Sequence, residues 1–161
     1  MQPVLSHGYN GGNWGCYYYI NVWYLYTGGS IVTAGQRVNV GDSLQGYMTY
    51  SSNHLGSCCW WEGEMIDSTN LALQTEWVQT SYFGGFSAMR WIFGGVLEAY
   101  GVASCSYYPN GSTGSTNFTS ISIYDSSGSS ITPSLSSFTT TQTPQCSYGV
   151  TTSSTSVNLA Y

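Results

Sequence analysis

One carboxylate lies inside the most apolar segment of the sequence. Glu98 occupies the run Gly95-Val96-Leu97-Glu98-Ala99-Tyr100, which follows a second glycine at position 94. Burial in such a strand raises the pKa of a carboxyl group, and a carboxyl with a raised pKa can act as a general acid or base. The alternative is a glutamate at a strand end that faces solvent. Glu98 is the candidate catalytic residue of the sequence.

A second pair of carboxylates is two residues apart. Glu62 and Glu64 lie on one face of any strand that contains them, and Trp60 and Ile66 share that face. Paired carboxylates hydrolyse glycosides when they converge across a cleft. Neighbours along one strand more often form a polar outer face opposite residues such as Trp61, and the spacing favours that interpretation.

The two histidines give weaker signals. Ser6 and His7 are adjacent, but successive side chains of an extended segment point to opposite faces, so they do not form a nucleophile and base pair by themselves. His54 lies in a Ser, Asn and Gly loop, where we expect it to be exposed. The sequence therefore does not predict a serine hydrolase.

Aromatic side chains are the other functional signal. The chain contains 15 tyrosines and 6 tryptophans. Aromatic rings on a concave sheet can stack on sugar rings or hold an extended peptide, and a row of exposed aromatics is typical of a binding surface. The predicted partner is a glycan or an extended polypeptide. The candidate binding residues are Tyr17, Tyr19, Trp23, Tyr24, Tyr47 and Trp61, together with Glu62 and Glu64.

Charge is scarce along the whole chain. Among 161 residues there are two basic and seven acidic side chains, which gives a net charge of −5. So few cations cannot neutralise phosphates, which argues against nucleic acid and anionic membranes as partners. No apolar run approaches the roughly 18 residues that a membrane-spanning helix needs. A surface with few titrating groups depends little on pH and suits an acidic, extracellular setting.

The five cysteines lack the spacing of a zinc site, and we expect no metal or cofactor. In an oxidising compartment up to two disulfides can form, and we expect the adjacent Cys58 and Cys59 each to find a distant partner. Sequons at Asn110 and Asn117 agree with secretion. The predicted location is therefore extracellular.

The elements that must position these residues are strands. Period-two alternation recurs between Gly-rich and Ser-rich breaks, and helical periodicity is almost absent. The pattern predicts one all-β domain over residues 1–161, an antiparallel β-sandwich or jelly roll. The predicted strands are Tyr17 to Tyr26, Leu44 to Tyr50, Trp60 to Asp67, Leu71 to Val78, Met89 to Val102, Phe118 to Ile123 and Val157 to Tyr161.

Several short motifs follow one another along nearly the whole chain. They are Trp23-Tyr24, Val40-Gly41-Asp42-Ser43-Leu44, Ile66-Asp67-Ser68-Thr69-Asn70, Val96-Leu97-Glu98-Ala99 and Asn117-Phe118-Thr119-Ser120-Ile121. Their order resembles the eqolisins, the acid-active glutamic peptidases, whose fold is a concanavalin-like β-sandwich. The resemblance implies that Glu98 stands at the position of the catalytic glutamate. A second register instead aligns Glu76-Trp77-Val78 with a family strand and places Thr80 at the catalytic position.

The departures from the family decide what the resemblance implies about activity. Ser6 stands where the family has the glutamine that helps to stabilise the oxyanion, a contribution of a few kcal/mol for such donors. Asn10 and Leu25 replace two acidic residues of the pattern. The family's first strands have no counterpart before Met1, and a sheet edge left open in this way can add a strand from another chain.

Together these observations predict a secreted, eqolisin-like β-sandwich that has lost peptidase chemistry and binds a glycan or extended peptide on an aromatic face. The first alternative is an acid-active endopeptidase in which Glu98 activates water and Ser6 assists. A small jelly-roll glycoside hydrolase that uses Glu98 with Glu62 or Glu64 is another. The last is a structural subunit that associates with itself through its sheet edges.

Overall fold

The computed structural model describes residues 1–8, 17–26, 28–79, 103–107, 114–137, 144 and 146–161. Within these ranges the chain forms antiparallel strands, one 3-10 turn at Cys105–Tyr107 and no α-helix. The predicted all-β antiparallel class is therefore confirmed. The chain divides into two compact units, Met1–Met89 and Arg90–Tyr161. Glu98 and its apolar segment lie outside the described residues, and the single domain stays a prediction.

The described part of the first unit contains seven strands in two sheets. In the first sheet the central β2 pairs with β1 on one side and with β3 and β4 on the other, and in the second sheet β6 lies between β5 and β7. Of the four strands predicted in this part of the chain, Trp60–Asp67 matches the observed strand at both ends, and the other three match within two residues. The strands are β1 (Gln2–His7), β2 (Tyr18–Tyr26), β3 (Gly29–Val32), β4 (Gln36–Val38), β5 (Leu44–Ser51), β6 (Trp60–Asp67) and β7 (Ala72–Gln79).

The two sheets of this unit pack face to face around a small apolar core. Ile20 and Val22 of β2 point toward the second sheet, where they meet Met65 of β6. Gly63 marks the closest approach, because a Cβ built on it would lie 2.7 Å from Cγ1 of Val22. Normal contact between carbon atoms is about 3.5–4.0 Å, so only glycine fits there. This arrangement is that of a β-sandwich.

Hydrogen bonds join the turn that follows β6 to the turn that precedes β5. Asp67 is fully buried, and its carboxylate accepts hydrogen bonds from the backbone N–H groups of Thr69 and Asn70 at 2.9 and 3.2 Å. The Asn70 amide also donates to both Asp67 and Asp42, at 2.7 and 2.9 Å. Burial alone raises the pKa of Asp67, but these hydrogen bonds outweigh it and lower the pKa.

The second unit is built on a three-stranded sheet in which β12 lies between β11 and β8, and on a short ribbon of β9 and β10. The predicted strand from Phe118 to Ile123 is divided, because Ser120 has a left-handed φ of 57° that interrupts extended backbone. The strands are β8 (Ser115–Phe118), β9 (Ile123–Tyr124), β10 (Ser130–Ile131), β11 (Gly149–Thr152) and β12 (Val157–Ala160).

A disulfide bond holds the core of the second unit. It joins Cys105 to Cys146, which are 41 residues apart, and Tyr148 and Tyr161 pack beside it. A disulfide of this kind persists in an oxidising compartment. The described part of the chain contains no helix that could cross a lipid bilayer.

Candidate functional site

The outer face of the second sheet carries the paired carboxylates. Gly63 and Met65 of β6 point into the sandwich, and successive side chains of a strand alternate between faces. Glu62 and Glu64 therefore point away from the first sheet, as the spacing predicts. Both are half-buried, and their Cα atoms are about 7 Å apart, as expected for alternate residues of a strand.

Each of these glutamates has an aromatic residue directly opposite it on a neighbouring strand. Trp77 of β7 pairs with Glu62, and Tyr47 of β5 pairs with Glu64. Residues opposite each other in an antiparallel pair have Cβ atoms about 4.5–5.5 Å apart and lie on the same face. The two rings therefore lie on opposite sides of β6, one beside each carboxylate.

The loop between β5 and β6 adds a third ring to this face. A tight turn at Leu55 and Gly56, both with positive φ, brings His54 back over the sheet. The His54 ring stacks on Trp77 with centroids 3.7 Å apart and planes 13° apart, and it meets the edge of Trp60 at 5.3 Å. His54 is half-buried in this cluster, so the expectation of an exposed loop histidine is wrong.

Hydrogen bonds fix this loop against the sheet. The indole N–H of Trp60 donates to the Ser57 hydroxyl at 3.0 Å, and the side-chain amide of Gln79 donates to the Cys58 carbonyl at 3.1 Å. The sulfur atoms of the adjacent Cys58 and Cys59 are in contact in this loop, and the expectation that each has a distant partner stays a prediction. These two hydrogen bonds therefore hold the loop against Trp60 of β6 and Gln79 of β7.

We call this surface the acidic–aromatic face. Its members are the two central carboxylates and the four rings around them. Among the described residues, no metal could be held by three or more His, Cys, Asp or Glu side chains. The face consists of Tyr47, His54, Trp60, Glu62, Glu64 and Trp77.

Two like charges, Glu62 and Glu64, dominate the electrostatics of the described part of this face. Burial raises the pKa of Glu62, and the neighbouring charge of Glu64 raises it further. In the described part of the chain the one guanidinium belongs to Arg37. It lies on the first sheet, 3.6 Å above the ring of Tyr17. Neither strand pairing nor a ring contact therefore brings the Arg37 guanidinium to this face.

Three of the eight residues predicted to bind a ligand are on this face, namely Tyr47, Glu62 and Glu64. Trp61 points the other way, into the sandwich, where its ring lies 5.6 Å from that of Tyr50. The remaining four predicted residues belong to the first sheet and are not brought together with the acidic–aromatic face by strand pairing.

The aromatic residues of β2 are mostly covered. Tyr19 and Tyr24 are 8% and 2% exposed, so both are core residues in the structure. Tyr17 is 39% exposed and is held under Arg37. Trp23 is half-buried, and its indole nitrogen has no hydrogen-bond partner among the described residues. A strand of this composition is buried on both faces.

The predicted catalytic pair cannot be assembled from the described residues. The Ser6 hydroxyl of β1 donates to the side-chain oxygen of the fully buried Asn21 at 3.4 Å. Glu98 lies outside the described residues. The role assigned to Ser6 and Glu98 therefore stays a prediction.

Sequence reasoning did not select His54, Trp60 or Trp77 as binding residues. The signal for Trp77 was present, because Leu73, Thr75 and Trp77 alternate on one face of the predicted β7. Trp60 was also expected to share the face of the glutamates. Only His54 has no such signal, because its position depends on how an irregular loop folds over the sheet.

Comparison with known proteins yields no match: no protein-family model, no curated protein and no solved structure is similar to this chain. The resemblance to the eqolisins therefore stays a prediction from short motifs.

Proposed function

We propose that this protein binds a glycan on the acidic–aromatic face and that it is secreted. The observation that carries the proposal is the pairing of Trp77 with Glu62 and of Tyr47 with Glu64. A flat aromatic ring can cover the apolar side of a sugar ring. A carboxylate has only acceptors, and a sugar hydroxyl is a donor. Tyr47 and Glu64 together therefore offer both kinds of contact that one sugar unit needs. Glu62 adds a second acceptor beside Trp77, one side of whose ring is already stacked on His54.

The position of β6 favours a glycan over an extended peptide. A peptide that joins a sheet binds through backbone groups at an edge strand. β6 is bonded to β5 and β7 on its two sides, so its backbone groups are already paired. A ligand that lies on this face meets side chains only, and that is the mode of binding open to an oligosaccharide.

The other functions predicted from the sequence have less support. The glutamic-peptidase alternative depends on Glu98, for which the described residues give no geometry. Glu62 and Glu64 are neighbours along one strand, whereas glycoside hydrolysis uses two carboxyl groups on either side of the scissile bond. Self-association through sheet edges stays a prediction. The Cys105–Cys146 disulfide supports the proposed secretion.

Affinity electrophoresis in gels that contain neutral, acidic or amino polysaccharides tests the proposal. We expect at least one gel to retard the wild-type protein, and Tyr47→Ala to weaken that retardation roughly fivefold, since stacking on one ring contributes about 1 kcal/mol. Tyr124→Ala is the matched control, because Tyr124 is 62% exposed in β9 of the other unit. Tyr47 is 44% exposed, so its removal should leave the fold intact.

Two results would count against glycan binding on this face. One is migration of the wild-type protein at the same rate in every gel. The other is equal loss of retardation in the Tyr47 and Tyr124 variants, which would move the site elsewhere.

A further inference from the structure

Among the described residues, no basic side chain pairs with the negative charge at the centre of the acidic–aromatic face. Glu62 and Glu64 share one face of β6, and no described residue forms an ion pair with either of them. The chain has no lysine, and of its two arginines Arg37 is engaged with Tyr17 in the other sheet, whereas Arg90 lies outside the described residues. A ligand that brings positive charge to this face would therefore remove a repulsion that the described residues leave in place.

The aromatic residues on each side of β6 also favour a positively charged ligand. A cation positioned over an aromatic ring is attracted by the negative face of the ring, most strongly by tryptophan and tyrosine. Trp77 lies beside Glu62 and Tyr47 lies beside Glu64. Glu64 and Tyr47 thus form a site where an ammonium group meets a full charge and a π-system together. Glu62 supplies a second charge beside Trp77, whose ring is stacked on His54 on one side.

The repeat of this arrangement suits a polymer better than a single cation. The two carboxylates point the same way from alternate residues of β6, and the rings are on opposite sides of that strand. A chain laid diagonally across the sheet from Trp77 to Tyr47 would cross both carboxylates. An oligosaccharide with an amine on successive sugar units has the matching pattern of charge.

We propose that the ligand is a glycan that carries free primary amines, of the glucosamine-polymer class, bound as its ammonium form. The inference rests on the proposed function and narrows it. Neutral glycans, N-acetylated glycans and acidic glycans lack the charge that Glu62 and Glu64 select. Binding to the amino form is expected to weaken as salt is added, because exposed charges are screened beyond about 10 Å at 0.1 M ionic strength.

Isothermal titration calorimetry at pH 5.5 tests the selectivity with three tetrasaccharides of the same backbone linkage. They carry free amines, N-acetyl groups or hydroxyl groups at the 2-position. We expect the amine form to bind at least about tenfold more tightly than the other two, as hydrogen bonds to charged groups contribute about 1.5–3 kcal/mol. Glu62→Gln and Glu64→Gln should each remove most of that difference.

Glu76→Gln is the matched control. Glu76 lies on the opposite face of the same sheet, directly across from Gly63, and its substitution removes the same charge. We expect it to leave the selectivity unchanged. Circular dichroism of each variant separates a loss of binding from a loss of fold.

The outcomes test the preference for amines and glycan binding itself separately. Equal affinity for the three tetrasaccharides, with loss on Tyr47→Ala, would overturn the amine preference and keep glycan binding. Absence of binding to every tetrasaccharide and to the polysaccharide gels would overturn both. Equally tight binding of a lysine tetrapeptide would show a general cation surface and would also overturn the inference.

Discussion

The close approach of the two sheets at Gly63 gives a direct test of the sandwich. An alanine Cβ at this position would lie 2.7 Å from Cγ1 of Val22 and 2.8 Å from the sulfur of Met1. The methionine can move aside, but Val22 is fully buried and β-branched. Overpacking of this kind costs about 1–3 kcal/mol, whereas replacing glycine with alanine gains about 0.4–1 kcal/mol from the unfolded chain.

We therefore expect Gly63→Ala to lower the free energy of unfolding by about 1–2 kcal/mol. Urea denaturation followed by tryptophan fluorescence measures this change as a lower midpoint with an unchanged slope. Gly149→Ala is the control, because its Cβ would lie 3.8 Å from that of Ala160, in ordinary contact.

A second substitution identifies the atom responsible. Val22→Ala removes Cγ1, so Gly63→Ala should cost less in that background than in the wild type, with a coupling of about 1 kcal/mol. Wild-type stability in Gly63→Ala, or strictly additive effects of the two changes, would refute the packing of β6 against β2.

Other predictions follow from the charged and cross-linked groups. Because the folded state raises the pKa of Glu62, its charge opposes folding above that pKa. Glu62→Gln should therefore raise the melting temperature at pH 7, with a gain in the free energy of unfolding of less than about 1 kcal/mol, since the group is partly exposed. That gain should vanish below about pH 4, where the wild-type carboxyl is protonated in both states. The reverse holds for Asp67, whose pKa is lowered by folding. Its carboxylate stabilises the fold above its ordinary pKa of 3.8, and this stabilisation is lost as the pH falls further. Between pH 5 and 2 the melting temperature should therefore fall more steeply for the wild type than for Asp67→Asn. Replacement of Cys105 and Cys146 by serine should cost about 4 kcal/mol, from the loop of 41 residues that the disulfide closes, and equal melting of the oxidised and reduced protein would contradict this.

The strands of the first unit could be predicted because their patterns are local. Trp60 to Asp67 alternates large apolar and acidic residues, and the same alternation places Glu62 and Glu64 on one face and Met65 on the other. The strands β1, β3 and β4 were missed. They are short or mixed in composition, and their pairing with β2 is a long-range property that no local pattern carries.

The candidate site could be predicted only in part, for a similar reason. Two faces of a strand can be assigned from spacing, but which face is covered depends on the partner sheet. Tyr19 and Tyr24 of β2 are predicted from the sequence to bind a ligand, yet both are buried. His54 reaches Trp77 through a loop whose turn at Leu55 requires a positive φ in a residue that rarely adopts it.

The central claim is that sugars bind at the acidic–aromatic face, and an NMR titration of the tryptophan indole N–H signals tests it most directly. Single Trp→Phe variants assign the signals, and the ligand is the glucosamine tetrasaccharide. We expect the signals of Trp60 and Trp77 to shift with a common dissociation constant, while those of Trp23 and Trp61 stay in place. Shifts confined to Trp23 or Trp61, or no shift at any indole, would contradict the claim.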